Sequence, residues 1–343
     1  MSDVRAAVAL PPEGPLSELV ELAVAAEGLG CRTVWVNDDR LQKDVFTVLA
    51  AIARSTRDLR LGPGVTNPYS RHPALLATAI ATLDELSGAR AVLGLGAGGT
   101  NHRALGIERR APATGLREAV TIIRGLLAGE RVTVDGRVMR AHAAQLDFVP
   151  PRPDLPIYVG ARGPKVLEVA GALADGVIVG NIASIEGWSY ALDHVEGGSR
   201  RAERDPADVA LTAWVACAVS DDAAAAIDAV RPMVATSLTT SRPILGELGI
   251  RVPPGFAAVM EQHEWTPSRA AVHQAAAEVP VALVRRFAIA GTAADCRAHV
   301  ETLLDAVPRI SELAIIPFPV AGQRTTDVVR ALCDNVMPAV VDA

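Results

Sequence analysis

The first ninety residues alternate between short apolar runs and helical patterns, and this alternation limits the possible folds more than any other feature. The predicted strands are Val4–Leu10, Thr33–Val36, Leu59–Thr66 and Ala91–Leu95. Between them, apolar residues recur three and four positions apart, which indicates helices with one buried face. Strands joined by such short helical connections are parallel, and strands that are apolar throughout are covered on both faces. The sequence therefore predicts an α/β protein with a parallel sheet.

The same pattern resumes in the second half of the chain. Further strands are predicted at Pro156–Val159, Gly176–Val179, Val209–Val219 and Leu313–Phe318. A doubly wound open sheet is an alternative, but about eight units in one chain favour a closed (β/α)8 barrel, the TIM barrel. The chain has 343 residues, more than the roughly 250 of a minimal barrel. We therefore expect a single domain over residues 1–343 with insertions.

Two stretches interrupt the alternation, near residues 99–155 and 232–286. The first contains a predicted helix, Leu116–Leu127, and a predicted hairpin of Arg131–Val134 and Val138–Ala141. The second contains Pro-Pro-Gly at 253–255 and scattered helical patterns. Because the chemistry of such barrels takes place at the C-terminal face of the strands, we expect both insertions there, as walls of a substrate pocket.

Composition excludes several classes of partner. The net charge is −6 and no run of basic residues occurs, which argues against a nucleic-acid partner. No stretch of about 18 apolar residues and no leader pattern are present, so we expect no membrane association and a cytoplasmic location. The cysteines, which are too widely spaced for a zinc site, are expected as buried thiols, and no metal is predicted. They are Cys31, Cys217, Cys296 and Cys333.

Two adjacent acids follow the second predicted strand, in Trp35-Val36-Asn37-Asp38-Asp39-Arg40. They are either part of a plain helix-entry loop, with Asp44 as the helix cap, or functional groups at the barrel mouth. In the functional interpretation, Asp38 bonds a cofactor ring and Asp39 handles a proton.

Glycines cluster at the next two strand ends. Gly64 permits an unusual, even cis, linkage to Val65 where a backbone presses against a ligand; an ordinary strand end with turn residues is the alternative. Gly94–Gly99 spells G-x-G-x-x-G, but no helix is predicted to open at Gly99, so a dinucleotide-binding Rossmann motif is rejected. We expect these glycines to let a flat ring lie against bare backbone.

A fourth motif, Gly160-Ala161-Arg162-Gly163-Pro164-Lys165, joins a predicted strand to a helix. Proline at the first helical position, free amide groups and two cations are typical of a phosphate cradle. A helix start without a ligand is the alternative.

Three of these runs resemble one family. They are LGPGVTNPYSRHP at 61–73, ATLDELSGARAVLGLGAG at 81–98 and PIYVGARGPKVLEVAGALADG at 156–176. Together they resemble the luciferase-like superfamily, and most closely the branch similar to F420-dependent methylenetetrahydromethanopterin reductase. The resemblance extends over most of residues 4–180 and the final strand, and it is weak from about 181 to 290.

The resemblance implies a (β/α)8 barrel, usually dimeric, that binds coenzyme F420 at the strand ends. It implies that the Gly64–Val65 link is a non-prolyl cis bulge behind the deazaflavin ring, and that residues 161–164 hold the phosphate. The implied cofactor-binding residues are Asp38, Gly64, Val65, Asn67, Ala97, Gly98, Ala161, Arg162, Gly163 and Pro164.

The chain departs from its relatives at two positions. Some relatives have a proton-donating Glu where this chain has Gly99, and some have a His where it has Asp39. Asp39 is therefore the candidate catalytic residue, and a sugar-phosphate substrate is not expected. We expect a homodimer that transfers hydride between F420 and a C=N, C=C or C=O carbon of a small molecule. The alternatives are an FMN-dependent monooxygenase and a cofactor-binding homologue without catalysis.

Overall fold

A computed structural model describes residues 4–38, 41–98, 102 and 104–337. The chain divides into two compact units. The N-terminal unit comprises Ala7–Ile178 and His194–Leu211, and the C-terminal unit comprises Met1–Ala6, Val179–Asp193 and Thr212–Ala343. In the part of the chain described, no helix is long and apolar enough to cross a membrane.

Strands and helices alternate along the chain as the sequence predicts. Up to residue 180 the elements are β1 (Arg5–Leu10), α1 (Leu16–Gly28), β2 (Thr33–Val36), α2 (Val45–Ser55), β3 (Arg60–Pro63), α3 (Pro73–Ser87), β4 (Leu93–Gly96), α4 (Pro112–Leu127), β5 (Val132–Asp135), β6 (Arg140–Ala144), β7 (Ile157–Ala161), α5 (Pro164–Leu173) and β8 (Gly176–Gly180). Beyond it they are α6 (Ile185–Arg201), a 3-10 turn (Pro206–Asp208), β9 (Ala210–Val219), α7 (Ala223–Thr240), α8 (Arg242–Leu245), α9 (Pro254–Gln262), α10 (Arg269–Ala276), α11 (Val281–Phe287), β10 (Ala288–Gly291), α12 (Ala293–Ala306), β11 (Ile310–Pro317), α13 (Thr325–Ala331) and a π-helical turn (Leu332–Val336).

The sheet of the N-terminal unit is parallel. β1 pairs with β2, β2 with β3, and β4 with β7. Isolated bridges from Leu61 to Ala91 and from Thr66 to Leu95 join the β3 and β4 segments. The carboxyl ends of these strands therefore share one edge, where the predicted site residues lie.

Local chemistry sets several helix boundaries. The Asp44 carboxylate accepts a hydrogen bond from the Thr47 backbone N–H and starts α2, as the sequence predicts. Pro73 occupies the first position of α3, and Gly88 ends that helix with a left-handed φ of 69°. Pro112 starts α4 four residues before the predicted Leu116.

The predicted hairpin is present, shifted to β5 and β6, and α4 holds it in place. The Glu118 carboxylate accepts hydrogen bonds from the backbone N–H groups of Arg137, Val138 and Met139, at 2.8, 2.9 and 2.7 Å. Burial raises the pKa of Glu118, but these three bonds and the charge of Arg137 outweigh it, so the net pKa lies below its ordinary value.

The C-terminal unit contains a strand that the sequence pattern did not predict. β10 is parallel to β9, with Ala288 opposite Ala216 and Gly291 opposite Val219. β11 lies on the other side of β9. Helices α7 to α11 occupy the predicted second insertion and bury a cluster that includes Phe256, Met260 and Phe287.

Candidate cofactor-binding site

The indole of Trp35 fills the glycine-rich face of the N-terminal sheet. Trp35 is fully buried on β2, opposite Gly62 of β3. Its ring lies 3.4 Å from the position that a Cβ would take on Gly62, and 3.2 Å from that position on Gly94. The Tyr158 ring lies 5.7 Å away, centroid to centroid. The two glycines therefore make room for a layer of aromatic rings below the strand ends.

One layer closer to the strand ends, the Val65 side chain lies against two more glycines. A Cβ on Gly160 would lie 2.9 Å from Val65 Cγ1, and a Cβ on Gly96 would overlap Val65 Cγ2. Gly96 and Gly160 are paired in register on β4 and β7. The Gly64–Val65 peptide bond is cis, as the family resemblance implies. The Val65 side chain therefore packs directly against the backbone of Gly96 and Gly160.

Asp38 is held by a threonine from the neighbouring strand. Thr66 Oγ1 donates a hydrogen bond of 2.5 Å to Asp38 Oδ2, and the Thr66 N–H donates to the Gly94 carbonyl at 3.0 Å. Thr66 is fully buried. This hydrogen bond holds the carboxylate of Asp38, for which the family resemblance predicts a cofactor contact. Asp39, the candidate catalytic residue, lies outside the described residues.

The side-chain oxygen of Asn67 is used inside the protein. It accepts hydrogen bonds from the Tyr69 and Ser70 N–H groups at 3.1 and 2.9 Å and lies 3.1 Å from His102 Nε2. Because these two amide donors identify the atom as the carbonyl oxygen, the Nε2 of His102 is the donor. Asn67 is buried, and its side-chain oxygen serves the turn that follows it.

The turn after β4 is closely packed on its inner side. Gly98 has a φ of 77°, and a Cβ there would overlap the His102 ring. Arg109 donates a hydrogen bond of 3.2 Å to the Gly98 carbonyl. The described residues between β4 and α4 form no helix, which agrees with the rejection of a Rossmann motif. Ala97 and Gly98 follow the strand directly and are half-buried.

The start of α5 has the features of an anion site. Gly163 is the N-cap, no side chain caps the helix, and Pro164 occupies its first position. No atom lies within 4 Å of a Cβ built on Gly163, so the space beside it is open. Burial lowers the pKa of Arg162 to about 10, which leaves the guanidinium charged at neutral pH. A phosphate fits this combination of a helix N-terminus and a cation.

The structure thus brings the predicted residues together in three groups. Asp38 lies with Thr66, the Gly64–Val65 link with Gly96 and Gly160, and residues 161–164 with the start of α5. Sequence reasoning did not identify the aromatic layer at Trp35. It also did not identify Asn37, which directly follows the strand that contains Trp35. Strand alternation was the available signal, because residues 35 and 37 of an extended chain share one face.

The chain belongs to the luciferase-like monooxygenase family, whose model matches residues 2–309. It is 35% identical over 306 residues to a 5,10-methylenetetrahydromethanopterin reductase of Methanolobus tindarius, covering 86% of this chain and 89% of the relative. It is 33% identical over 239 residues to an F420-dependent glucose-6-phosphate dehydrogenase of Kineococcus radiotolerans, covering 66% and 71%.

Structural similarity extends over nearly the whole chain. The solved structure of the coenzyme F420-dependent tetrahydromethanopterin reductase of Methanopyrus kandleri matches with a TM-score of 0.85 at 27% identity, covering 98% of this chain and 99% of that one. The predicted (β/α)8-barrel fold is therefore confirmed.

Proposed function

We propose that this protein is a coenzyme F420-dependent oxidoreductase that transfers hydride between the deazaflavin and a small organic substrate with a C=N, C=C or C=O bond. The observation that carries the proposal is the combination of Val65 packed against Gly96 and Gly160 with a helix start at Gly163 that no side chain caps. The relatives described above are named as F420-dependent or as reductases of the same branch.

The residues present suit the two ends of such a cofactor. Val65 offers an apolar surface for a planar ring, and glycines at 96 and 160 keep that surface free of further side chains. Arg162 and the α5 amide groups suit the phosphate. When bound, the deazaflavin supplies a hydride donor or acceptor.

We assign Asp38 to orienting the ring, because Thr66 holds its carboxylate in one direction. We assign proton transfer to Asp39, since the chain has Gly99 where some relatives have an acid. The protein's contribution would then be orientation of the two reactants and exclusion of water. We further propose a homodimer, on the family resemblance, that acts without a nucleic-acid partner, on the net charge of −6.

Two measurements test the assignment. Titration with F420 and with FMN, followed by fluorescence, should give tighter binding of F420. The reduced, cofactor-loaded protein should not consume oxygen above the rate of free cofactor. Tight FMN binding with no response to F420 would replace the proposal with an FMN-dependent monooxygenase. F420 binding without turnover of any carbonyl, imine or enone substrate would leave a binding homologue.

A further inference from the structure

Asn37 lies on the same sheet face as the aromatic layer, one step closer to the strand end. It directly follows β2, and its N–H donates a 3.0 Å hydrogen bond to the Leu10 carbonyl, which continues the β1–β2 ladder. In an extended chain residues 35 and 37 point to the same side. That side is the sheet face on which the Trp35 ring packs against Gly62 and Gly94.

The side-chain oxygen of Asn37 has no hydrogen-bond partner and is buried. Among the described residues of the N-terminal unit, it is the sole buried side-chain acceptor without a hydrogen-bond partner. An unpaired buried acceptor costs about 1–3 kcal/mol. The fold does not need this amide, because the backbone N–H of Asn37 makes the ladder bond whatever the side chain.

Two neighbouring acceptor atoms already have partners inside the protein. Asp38 Oδ2 accepts the Thr66 hydroxyl, and Asn67 Oδ1 accepts two backbone N–H groups and the His102 N–H. A ligand N–H that reaches this edge of the sheet therefore meets an unpaired acceptor at Asn37.

We propose that Asn37 accepts a hydrogen bond from the imide N–H of the deazaflavin pyrimidinedione ring. This inference rests on the proposed function. The imide edge of that ring presents one N–H donor between two carbonyl acceptors. The N–H needs a hydrogen-bond acceptor, and an amide oxygen is one. Asn37 is then a residue that orients the ring, in addition to those that the resemblance implies.

The test compares two soluble probes, 8-hydroxy-5-deazaflavin and its N3-methyl derivative, which lacks the imide donor. We expect the natural protein to bind the parent compound about 10- to 100-fold more tightly than the methylated one. Asn37→Leu should lose most of its affinity for the parent and for F420, and should bind the two probes within about threefold of each other. Asn37→Asp, which keeps an acceptor, should still discriminate between them.

Several outcomes would overturn the assignment of Asn37. Equal binding of the two probes by the natural protein would do so without any variant, even if Asn37→Leu failed to fold. Unchanged affinity and discrimination in a folded Asn37→Leu protein would do the same. Failure of the natural protein to bind F420 at all would instead remove the proposed function, so the two failures are distinguishable.

Discussion

The interiors of the two units are packed in different ways. In the N-terminal unit, glycines at 62, 94, 96 and 160 leave space that the side chains of Trp35 and Val65 fill. In the C-terminal unit, aliphatic and aromatic side chains of α7 to α11 make a conventional core around Phe256. All the predicted site residues belong to the N-terminal unit.

This difference explains why the family resemblance is strong in the N-terminal unit and weak over residues 181–290, most of which belong to the C-terminal unit. A position at which a Cβ would overlap its neighbour tolerates glycine alone, so it leaves a readable pattern in the sequence. A core of Ala, Val, Leu and Phe can be filled by many combinations of equal volume. Each unit also has an asparagine with an unpaired, buried Oδ1 after a strand, Asn37 and Asn181, and neither was predicted.

The largest effect on activity is expected from the adjacent acids. Asp39→Asn should slow turnover by about 10²- to 10⁴-fold, because general acid–base catalysis contributes that much, and should remove one limb of the pH–rate profile. Asp38→Ala should mainly weaken F420 binding. Steady-state kinetics together with F420 titration separates the two roles. Full activity of Asp39→Asn would assign the proton to water, the substrate or His102.

The largest effect on stability is expected in the other unit. Phe256 is fully buried in its cluster, with its ring 6.2 Å from that of Trp265. Phe256→Ala should lower the free energy of unfolding by about 3–5 kcal/mol and leave the F420 affinity of the folded protein unchanged. Val281→Ala, at a position 40% exposed, is the control and should have little effect. A large loss of F420 affinity in the folded Phe256 variant would contradict the assignment of cofactor binding to the N-terminal unit alone.

Alanine should be tolerated differently at a crowded glycine of the N-terminal sheet and at an open glycine of the C-terminal unit. A Cβ on Gly62 would overlap the Val92 carbonyl oxygen, whereas no atom lies within 4 Å of a Cβ on Gly180. Gly62→Ala should therefore lower stability by about 1–3 kcal/mol, and Gly180→Ala should be neutral or slightly stabilising. Denaturant unfolding measures both. Equal stability of the two variants would show that the backbone around Gly62 can shift to accommodate a methyl group.

Charge reversal at the start of α5 tests the phosphate cradle. Arg162→Glu should weaken F420 binding by about 1–3 kcal/mol, the value of a lost charge-assisted contact, while the fold stays intact. Arg131→Glu makes the same charge change at an exposed position with no predicted role and is the control. If both variants bind alike, the phosphate lies elsewhere.

The smallest effect concerns the hairpin on α4. The pKa of Glu118 is depressed in the folded protein, so its contribution to stability is complete above the ordinary value of 4.5 and is lost as pH falls through the lower folded pKa. Glu118→Gln should cost about 1 kcal/mol at pH 7 and reduce the loss of stability below pH 4.5. Urea unfolding between pH 3 and 7 compares the two proteins. An unchanged acid slope would mean that the three hydrogen bonds do not depend on charge.

The sequence alone determined the features that depend on neighbouring residues. The alternation of strands and helices follows from the spacing of apolar side chains, and the starts of α2 and α5 follow from Asp44 and Pro164. β10 was missed because it follows α11 with no connecting residue, so its short apolar run continues the apolar pattern of the helix.

Tertiary structure decided which polar groups remain available to a ligand. The side-chain oxygen of Asn67, a predicted cofactor-binding residue, is bonded to His102, 35 residues away. Thr66 holds Asp38 across 28 residues, and Glu118 binds an N–H 21 residues away. Such partners meet only when the strands and helices are assembled, because no local pattern relates residues at these separations. The same assembly leaves Asn37 Oδ1 unpaired, although its sequence position resembles that of any asparagine after a strand.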